Sequence, residues 1–413
     1  MADKSEGMLS PYRVLDLTDE KGLLCGKILG DLGADVIKVE RPGGDPARNL
    51  GPFYHDEPDP EKSLFWFAFN TSKRGITLNL ETTDGQEIFK KLVKSTDIIV
   101  ESFPIGYMNQ LGLGYSALEK VNPGVILVSI TPFGQTGPWK DYKTSDIVAW
   151  ALGGYMYSVG DIDRAPVRIS YYSHAYLQAG GQATQGALTA LYYREMTGEG
   201  QFVDVSIHNS CSACSPERVT HHWDFNKRIS RRTGGGTVRM RGMWPCKDGY
   251  VCAQYWSGQF APRWNSPNVR WMIDQGVADD FIKTLDWTTY SFNAAPELSQ
   301  RIAESTLKLF QNLTKEEVLA GALKHQAQVY PVCTTADIVD NPQLKAREFW
   351  VDLEHPELNT TITYPGSFVK MTEAPPRVTR RAPLIGEHNQ EIYEKELGIS
   401  REKLVLLKQA KVI

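Results

Sequence analysis

The sequence predicts an α/β protein of the doubly wound, parallel-sheet kind, and three observations carry that expectation. First, Arg13 to Leu17 (RVLDL) is an apolar run of strand length, Gly22 to Leu32 has helical spacing, and Asp35 to Val39 is a second apolar run, so the chain opens as strand, helix, strand. Second, further short apolar runs follow at Ile76 to Leu80, Asp97 to Glu101 and Val125 to Ile130, with a helix over Thr83 to Val93 between the first two. Strands covered on both faces read as such uninterrupted runs. Third, Pro166 to Ser206 reads as loop, long helix, turn, strand: small and apolar residues recur at helical spacing from Leu177 to Tyr193, Gly198 stops the run, and Gln201 to Ser206 alternates. No G-x-G-x-x-G follows the first strand, so a dinucleotide is not indicated.

Composition narrows the class. At 413 residues the chain is long enough for one large core and a second domain. With 41% hydrophobic and 23% charged residues it has the composition of an ordinary soluble protein, and a net charge of -4 argues against nucleic acid as a bulk partner. No run of 18 apolar residues occurs, and MADKSEGMLSPY lacks the basic and apolar regions of a signal peptide, so a cytoplasmic location is expected. The six cysteines are scattered and do not suggest a disulfide framework.

Several motifs occur in a fixed order: LGADVIKVERPGGDPAR at Leu32 to Arg48, N-x-x-KR at Asn70 to Arg74, LGLGY at Leu111 to Tyr115, FGQTGP at Phe133 to Pro138, and the helix ending RE-x-TG-x-GQ-x-VDVS at Arg194 to Ser206. Later come Trp244 to Tyr250, Asn341 to Arg347 and Ala382 to His388. With these motifs the chain resembles the family III CoA-transferases from Val14 to about Leu407. The resemblance implies a Rossmann-like large domain formed by both chain ends (1–220 and 329–413), a smaller middle domain with a glycine-rich loop (221–328), and two subunits interlocked as a dimer.

It also implies site residues. Arg41, Lys73, Arg74, Ser102, Phe103 and Lys140 are the expected coenzyme A contacts, and Gly234, Gly235 and Gly236 form the expected active-site loop. CoA thioesters are expected as substrates, with no permanently bound cofactor. The family's nucleophilic aspartate falls on Tyr176, counting back from Arg194, and no Asp or Glu occurs between Asp163 and Glu195. A phenol of pKa ~10 stays protonated at neutral pH, and its ester offers no carboxyl carbon to carry CoA. No catalytic residue is therefore expected in this chain. Ser145 replaces the histidine that the family's racemase branch uses as acid/base, Gln110 stands where relatives often carry Arg, and Asp19 and Glu20 enter a loop that touches ligand in the family.

These departures make the chain the expected non-catalytic subunit of a heteromer. A related, Asp-containing subunit would move CoA from succinyl-CoA to an aryl- or alkyl-succinate such as (R)-benzylsuccinate, in anaerobic toluene-type degradation. Two alternatives stay open: a non-enzymatic acyl-CoA binding protein, and a self-sufficient CoA-transferase without covalent intermediate. His174, Ser170 and Ser173 offer acyl acceptors that cannot become a CoA thioester. His208, Cys211 and Cys214 recur every three residues, yet without a second paired motif the expectation is no metal. His388 reads as structural.

Overall fold

The computed structural model describes residues 7–161, 163–168, 173–214, 242–289 and 296–413. The described residues form two compact units: one from Met1–Gly153, Ser170–Cys214 and Gln343–Ile413, the other from Gly154–Ile169 and Ser215–Pro342. The glycine-rich segment Gly234 to Gly236 lies outside the described residues.

The first unit is built on six parallel strands: β1 (Arg13–Leu17), β2 (Asp35–Glu40), β3 (Lys73–Thr77), β4 (Ile98–Glu101), β5 (Ile126–Thr131) and β6 (Phe202–Ser206). Their spatial order is β3-β2-β1-β4-β5-β6, the doubly wound arrangement. Side chains alternate across the sheet. Leu15, Leu17, Ile37, Val39, Ile76 and Ile99 join one core with Phe89 and Leu92 of the helix Thr83–Val93, and with Ile392, Tyr393, Leu407, Val412 and Ile413 from the far end of the chain.

Helix α1 (Leu23–Asp31) packs on β1 and on a long helix, α2 (His174–Thr197). A Cβ on Gly26 would lie 2.2 Å from Asp16 Oδ2, so only glycine lets α1 come this close to β1. The long helix ends where expected, with Gly198 at φ 81° accepting the left-handed cap. It begins earlier than its apolar pattern does. Ser173 makes no side-chain cap, and the backbone N–H of Ala175 donates instead to Asp146 Oδ1 at 2.7 Å, a cap supplied by another helix.

The third strand differs from the expectation of Ile76 to Leu80. It starts at Lys73, because both charges of the Lys-Arg pair are neutralised inside the fold and need not stay in a loop. Tyr364 and Leu353, from a hairpin of Trp350–His355 with Thr360–Pro365, join Phe65, Trp66 and Phe67 in a second cluster of this unit.

The second unit has a three-stranded antiparallel sheet of β7 (Met243–Cys246), β8 (Gly249–Ala253) and β9 (Val329–Pro331). Trp244, Val251, Val329, Trp271, Met272 and Phe310 lie in its core. Because Val329–Pro331 hydrogen-bonds to β8, the chain re-enters the first unit at Gln343. Among the described residues, no helix is long and apolar enough to cross a membrane.

Candidate functional site

Doubly wound sheets bind ligands beyond the carboxyl ends of their strands, where neighbouring strands send their connections to opposite sides. Here that point lies between β1 and β4. A cavity of about 440 Å³ opens there, lined among others by Asp19 after β1, Arg41 after β2, Ser102 and Phe103 after β4, Tyr107, and Lys411 from the chain's far end. Sequence reading anticipated Arg41, Ser102 and Phe103, and the fold brings all three together. Tyr107 and Lys411 were missed, and nothing local in the sequence marks Lys411 as part of this edge.

The carboxylates of the cavity wall are occupied. Asp19 pairs with Lys21, its backbone N–H donates to Ser102 Oγ at 2.9 Å, and Ser102 Oγ donates to Asp19 Oδ1 at 2.8 Å. Glu40 accepts both Nε (2.6 Å) and Nη2 (2.8 Å) of the buried Arg48. Asp45 lies 3.4 Å from Lys38 Nζ, and Glu81 accepts from Tyr107 Oη at 3.1 Å. Ser102 thus closes the first loop onto the end of β4.

Beside it, Glu101 Oε2 accepts the Phe103 backbone N–H at 2.7 Å. Burial pushes its carboxyl up to about 7, against the pull of Ser129 and Phe103.

Lys73 and Arg74 stand apart from the cavity, contrary to the expected phosphate contacts. Lys73 is fully buried, and its ammonium donates to Asp16 Oδ2 (2.8 Å), the Leu23 carbonyl (2.9 Å) and Asn70 Oδ1 (2.9 Å), which uses all three of its protons. Arg74 grips Asp35 through Nε (2.9 Å) and Nη2 (2.6 Å), and its Nη1 reaches Glu391 and Glu396. Both are framework cations here. Lys38, also fully buried, donates to the Thr18 carbonyl. Lys38 and Lys73 therefore hold the two ends of the loop that carries Asp19 and Glu20. Lys140 is half-buried and pairs with Asp141 at 2.9 Å.

Tyr176 sits in the first turn of the long helix and is buried. Burial raises its phenol well above the ordinary value, and the charges of Glu20, Asp146 and Asp19 add to that. Glu20 is itself raised, first by burial and then by Asp19. Tyr176 is thus a protonated phenol surrounded by acids. Ser170 lies outside the described residues. His208 Nε2 lies 3.3 Å from the Leu152 carbonyl, Cys211 is buried, and Cys214 donates to the Ser210 carbonyl. Among the described residues, no group of three or more His, Cys, Asp or Glu could hold a metal ion.

Residues 9–389 match the sequence profile of CoA-transferase family III. The chain belongs to this family. This family III chain is 35% identical over 384 residues to succinyl-CoA:(R)-benzylsuccinate CoA-transferase subunit BbsE of Thauera aromatica, which covers 93% of both chains. It is 33% identical over 407 residues to succinyl-CoA:mesaconate CoA-transferase of Haloarcula hispanica, covering 95% of this chain and 97% of that one. The crystal structure of a CaiB/BaiF family protein from Brucella suis superposes with a TM-score of 0.83 at 26% identity, over 95% of this chain and 100% of that one. The family expected from the motifs is borne out, as is the α/β fold with its parallel sheet.

Proposed function

We propose that this family III chain is the nucleophile-lacking subunit of a heteromeric CoA-transferase. A related subunit supplies the aspartate, and the pair moves CoA from succinyl-CoA to an aryl- or alkyl-succinate such as (R)-benzylsuccinate. The observation that carries the proposal is Tyr176: a buried phenol, raised by its surroundings, stands where the carboxylate is required. The relative named as subunit BbsE supports both the heteromer and the acceptor class.

In this reading the partner's carboxylate attacks the succinyl thioester carbon, and CoA leaves as thiolate. The thiolate attacks the resulting anhydride at the aspartyl carbon, releasing succinate and leaving an enzyme–CoA thioester. The acceptor's carboxylate attacks that thioester and again expels CoA thiolate, which takes the acceptor's acyl carbon and frees the aspartate. This chain holds a CoA thioester with Arg41, Ser102 and Phe103 at the sheet edge and Lys140 from an exposed loop. It completes the interlocked dimer and lends Gly234 to Gly236 to the partner's site.

The test is to express the chain alone and together with an Asp-bearing relative, then assay transfer from succinyl-CoA to (R)-benzylsuccinate. Activity is expected only from the pair. Turnover by the single chain at the rate of the pair would refute the division of labour.

A further inference from the structure

The C-terminal helix Arg401–Gln409 ends in a Schellman turn: the Val412 N–H donates to the Leu407 carbonyl at 2.8 Å and the Lys411 N–H to the Lys408 carbonyl at 3.0 Å. That geometry puts Lys411 at the left-handed position, with φ 55°. Glycine is the usual residue there, because a Cβ is disfavoured in this region. A lysine at this place is a backbone outlier that some other interaction has to justify.

The helix terminus alone does not justify it. Lys408 already supplies the basic side chain of the last turn, where it meets the negative end of the helix. What distinguishes Lys411 is its setting. Val412 and Ile413, immediately after it, are buried in the core of the first unit, and the Asn79 N–H donates to the Val412 carbonyl at 2.7 Å. The strap is fixed on both sides, and it delivers Lys411 to the wall of the cavity that also holds Arg41.

Asp19 pairs with Lys21, Glu40 with Arg48 and Asp45 with Lys38, while Glu81 accepts from the neutral Tyr107 phenol. Among the described residues, the side chains of Arg41 and Lys411 take part in no ion pair or hydrogen bond. They are the two cations of the wall, beside the Glu81 carboxylate, and Gln110 is exposed and outside it.

We propose that Lys411, with Arg41, binds a phosphate of the CoA thioester. The proposal rests on the reading of this cavity as a CoA site and adds a residue to it. The left-handed backbone at Lys411 is part of the turn that places this residue in the cavity wall.

The test separates binding from folding. Lys411→Gly relieves the left-handed strain, so the thermal midpoint of the full chain holds or rises. Isothermal titration with CoA is expected to show affinity lower by roughly ten- to a hundredfold, the size of one charge-assisted contact, and Lys411→Arg restores most of it. Titration with 3′-dephospho-CoA assigns the phosphate: a loss absent there supports the 3′-phosphate, and an equal loss supports the pyrophosphate. If Lys411→Gly binds CoA as the wild type does while Arg41→Gln weakens binding, the role of Lys411 is refuted and the CoA reading stands. Failure of the wild-type chain to bind CoA overturns both.

Discussion

Lys73 Nζ lies 2.8 Å from Asp16 Oδ2, and neither side chain is exposed. Burial opposes ionisation of Asp16, but Lys73 and Lys38 outweigh it and hold the carboxyl below its ordinary value of 3.8. Replacing Lys73 by Met leaves a buried charge short of its main partner. Lys73→Met is expected to cost about 3–5 kcal/mol in urea unfolding, and Asp16→Asn added to it recovers part of the loss. The contribution of Asp16 is present above pH 3.8 and is lost as pH falls through its lowered value. A Lys73→Met loss below about 1 kcal/mol would contradict the framework role.

Glu101 gives the opposite pH dependence. Its carboxyl is raised from 4.5 to about 7 in the folded chain, so the folded state binds the proton more tightly than the unfolded one. Its contribution to stability is therefore full below about pH 4.5 and declines as pH rises toward 7. Glu101→Gln should keep the contact to Phe103 N–H, remove this decline and raise stability at pH 8 by about 3 kcal/mol. Unfolding curves at pH 5 and pH 8 check it; equal differences between variant and wild type at both would exclude the assignment.

Gly26→Ala tests how closely the first helix lies on the sheet. Alanine normally improves an exposed helix by about 1 kcal/mol over glycine. Here the added Cβ would stand 2.2 Å from Asp16 Oδ2, so the sign reverses and a loss of roughly 1–3 kcal/mol is expected. Thermal unfolding reads the sign directly.

On the proposed reading, Tyr176→Asp supplies the carboxylate that this chain lacks, in hostile surroundings. Glu20, Asp146 and Asp19 already act on this position, so the new acid is expected to remain partly protonated and react poorly. Adding Glu20→Gln removes one of those charges. Intact-mass measurement after incubation with succinyl-CoA should show more enzyme–CoA thioester in the double variant than in Tyr176→Asp alone. No adduct in either correctly folded variant would mean that the site in this chain no longer positions a thioester.

The strands, their parallel doubly wound character and the family were legible, because apolar runs and ordered motifs are local. Arg41, Ser102 and Phe103 were named from the resemblance, and the fold places all three in the wall of one cavity. Lys73 and Arg74, which the resemblance placed near CoA phosphates, lie outside that wall. Their acids, Asp16, Asp35, Glu391 and Glu396, are distant in the chain and only the fold brings them near. The start of the long helix was hidden too, as its cap comes from Asp146.

The sequence by itself determined that this chain has the family's α/β sheet and that no Asp or Glu stands between Asp163 and Glu195, because apolar runs and residue identity are local. Tertiary structure decided which charges are free. Pairing depends on which side chains meet across the sheet, and that is how Lys73 became sealed in the core while Lys411, from the other end of the chain, came to face the cavity.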